Sequence, residues 1–373
     1  MTTATRLTRL REKMQENDLQ AFLVGCPVED IFHLSAANRR YISGFTGSTG
    51  WALITEEKSF MAVDFRYVEQ AQNECPGFHV FRTTGAVDKW FADLAGEAGL
   101  AGKRIGFQPG DLSVAGLNAI RKSVDSMPEP DRPKLLSAPA LISDLRAIKE
   151  PEELDALQRA VDIGDAAFVH AAERLEPGMT EKQVAWEIEK YARENGAEFM
   201  SFPTIVAAGP HGAMPHAQPT GYAIQAGDPV VIDMGVIVDG YCSDLTRTIV
   251  CANQPDDQFK KVYDIVFAAQ LTAEELIRSG MTGDEAHMLA HNVIAEAGFG
   301  ENFGHGLGHG VGLQIHEAPS VARSATNELL DGMIITVEPG IYISGWGGVR
   351  IEDQCLLENG RVRPQSHAPK LSA

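Results

Sequence analysis

Residues 227–250 read GDPVVIDMGVIVDGYCSDLTRTIV, two β-rich runs that meet at Asp239-Gly240. A two-residue Asp-Gly connection between such runs signals a type I′ hairpin, because both turn positions need positive φ. With that turn fixed, Val238 faces Tyr241, Gly235 faces Asp244 and Asp233 faces Thr246. Asp233 and Asp244 then share one sheet face as diagonal neighbours, with Cα atoms about 7–8 Å apart. Two carboxylates converging beside apolar strand positions repel unless a proton or a cation lies between them. On the hairpin alone, a solvated face carrying two unrelated acids is an equally good reading.

Working outward, the pattern around the hairpin occurs twice. PGMTEKQ (177–183) and SGMTGDE (279–285) each place Thr three residues before Gln or Glu, the capping-box signature of a helix start. Each helix pair is followed by a Gly-containing loop and a strand ending in an acid: Asp233 lies six residues after Gly227, and Glu338 six residues after Gly332. VRIED (349–353) follows a GWGG turn, with Val349 and Ile351 on one face and Arg350 and Glu352 on the other. The spacing predicts two similar halves, each helix–helix–strand–strand, with four carboxylates delivered from mirrored hairpins and a site lined from both halves.

Before the second hairpin runs GHGLGHGVGLQIHEAP (304–319), with His305, His309 and His316. One core histidine is ordinarily hydrogen-bonded structure; three within twelve residues shift that balance. The glycines oppose a continuous helix and permit close backbone approach to a ligand. His216, in AMPHAQP, is a fourth histidine seventeen residues before Asp233. No HExxH, G-x-S-x-G, P-loop or dinucleotide fingerprint is present. Four carboxylates and one imidazole form an oxygen-rich set suited to two divalent first-row ions. Two such ions about 3.5–4 Å apart can bridge one hydroxide and clamp a hydrolytic transition state. The class expected from the residues is metal-assisted hydrolysis.

The chain of 373 residues with 44% apolar side chains has room for two cores. Its first part alternates candidate helices (5–19, 66–74, 87–95, 113–123) with candidate strands (21–25, 51–55, 60–64, 104–107), the pattern of an α/β unit. SMPEPDRP (126–133) is loop or linker chemistry, and the boundary is expected near residue 140: an N-terminal domain over 1–140 and a catalytic domain over 141–373. Pro151-Glu152-Glu153 opens a long amphipathic helix that stops before Pro177-Gly178. A net charge of −19 opposes phosphate-backbone affinity, so no nucleic-acid partner is expected. Five scattered cysteines read as buried free thiols in a reducing compartment. With neither signal-peptide nor membrane-span signals, a soluble, cytoplasmic protein without a membrane partner is expected.

IDMGVIVDGYCSDLTRT (232–248), FGHGLGHGVGLQIHEAP (303–319) and VEPGIYI (337–343) followed by GGVRIED (347–353) resemble the proline-specific metallopeptidases of the pita-bread fold. That family includes Xaa-Pro aminopeptidases, Xaa-Pro dipeptidases, methionine aminopeptidases and creatinases. NRRYISGFTGSTGW (38–51) and DFRYVEQA (64–71) resemble the creatinase-type N-terminal domain. The resemblance implies a mixed α/β (α+β) fold, with a smaller N-terminal α/β domain before a pseudo-two-fold catalytic domain. It implies a dinuclear centre held by Asp233, Asp244, His309, Glu338 and Glu352, with Mn²⁺ as first choice and Co, Zn or Fe also suited. It further implies that His316 contacts the scissile carbonyl or the tetrahedral intermediate and that His216 orients the substrate. Glu338 would also pass a proton from the bridging hydroxide to the leaving amine. His305 and Arg350 would line the substrate pocket, Arg350 orienting Glu352 by a charge-assisted contact. Short proline-containing peptides are the implied substrates, and a homodimer the implied assembly.

The sequence departs from the family pattern at Ser320, where many prolidase-like members carry an Arg that can hold a dipeptide's free carboxylate; Arg323 lies three residues on. Gln314 and Phe65 stand where Glu and Gly are common. Ser320 favours an Xaa-Pro aminopeptidase acting on longer peptides, with an Xaa-Pro dipeptidase as the alternative. A metal-dependent hydrolase of small non-peptide C–N bonds and a non-enzymatic peptide-binding module are the competing readings of the same fold; the retained ligand set speaks against the module.

Overall fold

A computed structural model describes residues 3–25 and 36–370. The Asp239-Gly240 turn has φ of 49° and 78°, and Val238 pairs with Tyr241 and Asp233 with Thr246, the register that an Asp-Gly turn dictates. Both arms break near the middle. One runs Pro229–Met234 and Val236–Val238, the other Tyr241–Cys242 and Leu245–Val250. At the break a Cβ on Gly235 would lie 1.9 Å from the Ser243 carbonyl oxygen. The Ser201 hydroxyl lies 3.0 Å from the carbonyl oxygens of Val236 and of Ser243. Glycine therefore lets the arms pinch, and beyond the pinch the pairs pass into separate three-stranded sheets.

The chain divides into two units, residues 1–146 and 147–373. In the second, both echoed helix starts form capping boxes, Thr180 with Gln183 and Thr282 with Glu285, opening the helices Glu181–Glu194 and Gly283–Glu296. They pair with Pro151–Ala172 and Asp257–Leu276. Each half closes its own core against its helices: Phe168, Ile188, Val230 and Ile232 in the first, Val262, Ile294, Ile335 and Ile351 in the second. The second half carries more strands than expected. Its five-stranded sheet runs Glu317–Val321, Gly308–Gly310, Ile334–Val337, Asp353–Glu358, Arg361–Pro364, and a two-stranded ribbon pairs Gly340–Ile343 with Gly347–Arg350.

The halves meet at Thr246 and Glu352, where the Glu352 N–H donates to the Thr246 carbonyl at 3.0 Å. Beneath that bridge Arg247, 1% exposed, donates to Asp353 at 2.7 Å and to the carbonyls of Thr246 and Ala368 at 3.0 and 2.9 Å. The tail is also pinned to the helix Pro151–Ala172, because the His367 N–H donates to the Asp165 carboxylate. The Asp165 Oδ1 is buried without a hydrogen-bond partner among the described residues, and burial pushes the carboxyl up to about 6.

The first unit is a six-stranded mixed sheet ordered His79–Arg82, Ser59–Val63, Trp51–Thr55, Ala21–Val24, Arg104–Phe107, Lys134–Ser137. Leu23, Leu53 and Ile105 pack with Phe91, Leu94 and Ile120 from the helices Phe91–Glu97 and Val114–Asp125. SMPEPDRP is the loop leading into the last strand. Cys75, Cys251 and Cys355 are buried free thiols, Cys242 is buried, and Cys26 lies outside the described residues. Among the described residues no helix is long and apolar enough to cross a membrane.

Gly235→Ala is expected to destabilise the protein by about 1–3 kcal/mol or more in urea unfolding, because the added methyl group must push the two arms apart. Asp165→Asn should do the opposite, with a pH signature. A carboxyl whose folded pKa is raised costs stability as pH climbs from about 4 through about 6. The variant's advantage should therefore be on the order of 2–3 kcal/mol at pH 8 and vanish near pH 4.

Candidate metal centre

Asp233 is the fifth residue of the strand Pro229–Met234, and Asp244 follows the pinch in the partner arm. In the second half Val337 faces Asp353 and Gly340 faces Arg350, which sets Glu338 opposite Glu352. The acids of the two hairpins are thus not placed identically: diagonal in the first, directly opposed in the second. His309 comes from the short strand Gly308–Gly310 between Glu317–Val321 and Ile334–Val337. A Cβ on Gly308 would lie 2.0 Å from the Thr336 carbonyl oxygen, and one on Gly310 2.1 Å from that of Ala318. The glycines around His309 therefore admit neighbouring strands, and Gly306 and Gly308 also line the cavity of the site. Asp233, Asp244, His309, Glu338 and Glu352 all line one cavity of about 450 Å³, with His216, His305, His316 and Arg350.

Nδ1 of His309 lies 3.1 Å from the Gly310 carbonyl, so the ring proton sits there and Nε2 offers a lone pair. That Nε2 faces an Asp244 oxygen at 3.5 Å and a Glu338 oxygen at 3.4 Å. Burial, with His316 adding to it, pushes His309 down to about 4, which keeps the imidazole neutral. With the acids ionised, acceptor faces acceptor. Burial and the neighbouring acids Glu352, Asp233 and Glu338 push Asp244 well above the usual carboxylate range. Glu352 is raised for the same reasons, and burial lifts Glu338 to about 8. Asp233 leaves its buried Oδ1 without a hydrogen-bond partner among the described residues. Ligand atoms of Asp244, His309 and Glu352 all lie within 4.8 Å of one another. A buried set of carboxylate oxygens and an imidazole lone pair, crowded together with an orphaned oxygen at its edge, fits divalent cations and little else.

Apart from Arg350, the donors around this set were not legible as such. Thr246 donates its hydroxyl to Glu352 at 2.6 Å, and Thr336 donates to Glu338 at 3.2 Å. Arg350 donates to Asp233 at 2.6 Å, to the Tyr342 hydroxyl at 2.6 Å and to the Thr246 hydroxyl at 3.1 Å. The expected charge-assisted contact from Arg350 to Glu352 is replaced by one to Asp233, and Glu352 is reached only through Thr246. His305 keeps its Nδ1 on the Gly306 carbonyl at 2.8 Å, so Nε2 takes the Tyr342 hydroxyl proton at 3.0 Å. Burial and the Arg350 charge push His305 down to about 4, consistent with that neutral tautomer. Thr246 and Tyr342 could have been suspected, the first as the register partner of Asp233 and the second as the polar residue of GIYI.

His316 stacks edge-on to His309, with ring centroids 4.3 Å apart, and burial lowers its pKa. His216 sits on a loop held by Glu181, a fully buried carboxylate at the start of the helix Glu181–Glu194. Glu181 accepts from the N–H groups of Ala208 and Thr220 at 2.9 and 2.8 Å and lies 2.8 Å from Nδ1 of His211. Nothing in the sequence distinguishes this acid from its exposed neighbours. Ser320 pairs with His309 across the strands and does not line the cavity; Arg323 does not line it either.

The profile of metallopeptidase family M24 matches residues 155–359, and that of the creatinase/prolidase N-terminal domain matches residues 6–148. The chain is 35% identical over 361 residues to an Xaa-Pro dipeptidase from Pyrococcus horikoshii, covering 96% of each chain. Among solved structures it is similar to an Xaa-Pro dipeptidase from Bacillus anthracis (37% identity, TM-score 0.90, 99% of each chain). It is also similar to an X-Pro aminopeptidase from Thermotoga maritima (31% identity, TM-score 0.87, 98% of each chain). Matched by profile over its second unit and by relatives from end to end, the chain belongs to metallopeptidase family M24, a family of hydrolases, and carries a creatinase/prolidase N-terminal domain.

Proposed function

We propose that the protein is a two-metal peptidase that hydrolyses Xaa-Pro bonds, of the Xaa-Pro dipeptidase type. The observation that carries the chemistry is the convergence of Asp233, Asp244, His309, Glu338 and Glu352 on one cavity with their acceptor atoms turned toward one another. The preference for dipeptides is supported by the names of the similar proteins from Pyrococcus horikoshii and Bacillus anthracis. It displaces the aminopeptidase reading drawn from Ser320, a residue outside the cavity. The aminopeptidase from Thermotoga maritima, similar over the same length, keeps cleavage of longer Xaa-Pro peptides as the second reading.

Two divalent ions on those five residues would polarise the scissile carbonyl and lower the pKa of the attacking water. Mn²⁺ is the first choice among them, with Co, Zn and Fe also suited to oxygen and imidazole donors. The chain's own residues then divide the work. His316, beside His309 and unattached to the acids, donates to the carbonyl oxygen as it gains negative charge. His216, on the loop that Glu181 ties down, fixes the substrate across the scissile bond. Glu338 takes a proton from the attacking water on its carboxylate oxygen and returns it to the leaving amine. Arg350 and Tyr342 hold Asp233 and His305 in place.

A matched pair of substrates, an Xaa-Pro dipeptide and an Xaa-Pro-Xaa tripeptide, should both respond to Mn²⁺. Cleavage should disappear on chelation and return with metal, with the dipeptide the better substrate by kcat/KM. A tripeptide preference would move the protein to the aminopeptidase reading, and no cleavage of either by metal-loaded protein would send the search to small C–N substrates. Asp244→Ala and Glu338→Ala should each lower kcat by about 10³-fold or more, and metal analysis should show Asp244→Ala short of metal. His316→Ala should keep its metal and lose about 10²–10³ in kcat. Loss of metal from that variant would mean that the roles of His309 and His316 are exchanged.

A further inference from the structure

Lys149 and Glu317 form an ion pair at 2.8 Å, with side chains 1% and 5% exposed. They stand 168 residues apart in the chain. A pair this deeply enclosed is a poor device for stability, because stripping water from both charges offsets most of their attraction. What it does fix is the distance between the two segments that carry it.

Lys149 is anchored on its own side. Its N–H donates to the Gly332 carbonyl at 2.8 Å, and Ile148 beside it pairs with Met333, which sets the lysine at the entry to the strand Ile334–Val337. Its ammonium also lies 3.4 Å from the Ala147 carbonyl oxygen. Glu317 opens the strand Glu317–Val321 and stands opposite Gly310, at an irregularity in the pairing next to His309. The bend that precedes it, residues 312–316, wraps its carboxylate. The Gln314 N–H donates to that carboxylate at 3.2 Å, and a Cβ on Gly312 would lie 2.4 Å from one of its oxygens, so glycine is what lets the bend close this tightly. The start of the bend is tied down as well, because the Gly312 carbonyl accepts the Cys242 N–H at 2.8 Å.

His316 is the last residue of that bend. It is exposed and lines the metal cavity, with its ring edge-on to His309 at 4.3 Å between centroids. A ring open on one side takes its direction from the backbone that carries it, and here that backbone is folded round the Glu317 carboxylate. We infer that Lys149 and Glu317 are positioning residues that aim His316 at the scissile carbonyl, acting through the bend and not through the metal ligands. This rests on the peptidase reading, in which His316 donates to that oxygen.

The test compares the wild type, Lys149→Met and Lys149→Met/Glu317→Leu as metal-loaded full chains, and repeats Lys149→Met in a His316→Ala background. Lys149→Met should lower kcat on an Xaa-Pro dipeptide by about 10–10²-fold, with KM and bound metal within about twofold of the wild type. In the His316→Ala background the same substitution should cost less than about twofold, because the ring it aims is gone. Lys149→Met strands a buried carboxylate, a change that can unfold a protein. The double variant removes both charges and should melt no lower than the wild type, yet show the same loss of kcat. An equal loss of kcat with and without the His316 ring, a loss of bound metal, or full kcat in the double variant overturns the assignment. A second arm needs no substrate: ¹⁵N-histidine spectra of the Zn²⁺-loaded chain, with the His316 signal identified as the one missing from His316→Ala. That signal should be single and narrow in the wild type and broadened or split in both Lys149 variants. If neither a dipeptide nor a tripeptide is cleaved, the peptidase reading fails and the spectra alone decide: an unchanged His316 signal overturns the positioning role as well.

Discussion

Mutual repulsion among buried carboxylates is the constraint on which the catalytic unit depends. Asp244 and Glu352 are 5% and 2% exposed, and Glu338 and Asp233 lie against the same cavity. A fold that gathers four acids and a neutral imidazole without a matching number of cations can do so only if the missing charge is supplied from outside. Much of the surrounding architecture serves to hold the acids against that repulsion. Thr246 and Thr336 each give a hydroxyl proton to one of them, and Arg350 gives a guanidinium N–H to a third. Arg247, underneath, ties the backbone of Thr246 to Asp353 and to the tail.

The parts of this arrangement that could be read from the sequence are those fixed by short-range rules. An Asp-Gly turn sets the register of its hairpin, and counting from it placed Asp233 opposite Thr246 and Val238 opposite Tyr241, as observed. The two capping boxes are local hydrogen-bond patterns, and both form. The strands His79–Arg82 and Lys134–Ser137 were not foreseen because both are short sheet edges with largely exposed side chains, which carry no apolar alternation. The choice of Asp233 rather than Glu352 as the partner of Arg350 is a contact across 117 residues. It depends on how the two hairpins cross at Thr246, and no spacing within either hairpin encodes that.

Ser320 shows the same limit in a functional inference. In many prolidase-like members this position carries an Arg that can hold a dipeptide's free carboxylate, which is why Ser320 entered the reading of substrate length. In the structure the segment Glu317–Val321 is a strand paired with His309, and Ser320 does not reach the cavity. The residue three positions on, Arg323, lies in a second cavity that adjoins it, in contact with His291. Sequence adjacency to a motif is a weak guide to which cavity a side chain serves, because a strand ends and a turn begins between the two.

The internal echo also shows how segments outside the helices and strands can be held in place. Thr180 bridges to Ala223 and Thr282 to Glu328, so in each half a segment is closed against the start of the second helix: in the first the loop bearing His216, in the second the turn after the strand Glu317–Val321, which His316 immediately precedes. The two closures are reinforced by different chemistry. In the first half Glu181 binds the N–H groups of Ala208 and Thr220 and the His211 ring. In the second, Asp284 accepts the Ser324 N–H, while Glu317 pairs with Lys149 at 2.8 Å, both side chains being 5% exposed or less. Ordering loops of this length costs about 1–2 kcal/mol per residue in backbone entropy, more than the van der Waals contacts of polar, glycine-rich segments recover. Charge-assisted hydrogen bonds to buried carboxylates are strong enough to offset part of that cost. The repeat thus preserves the placement of the ties, one acid near each helix start, while each half is free to differ in what the acid holds.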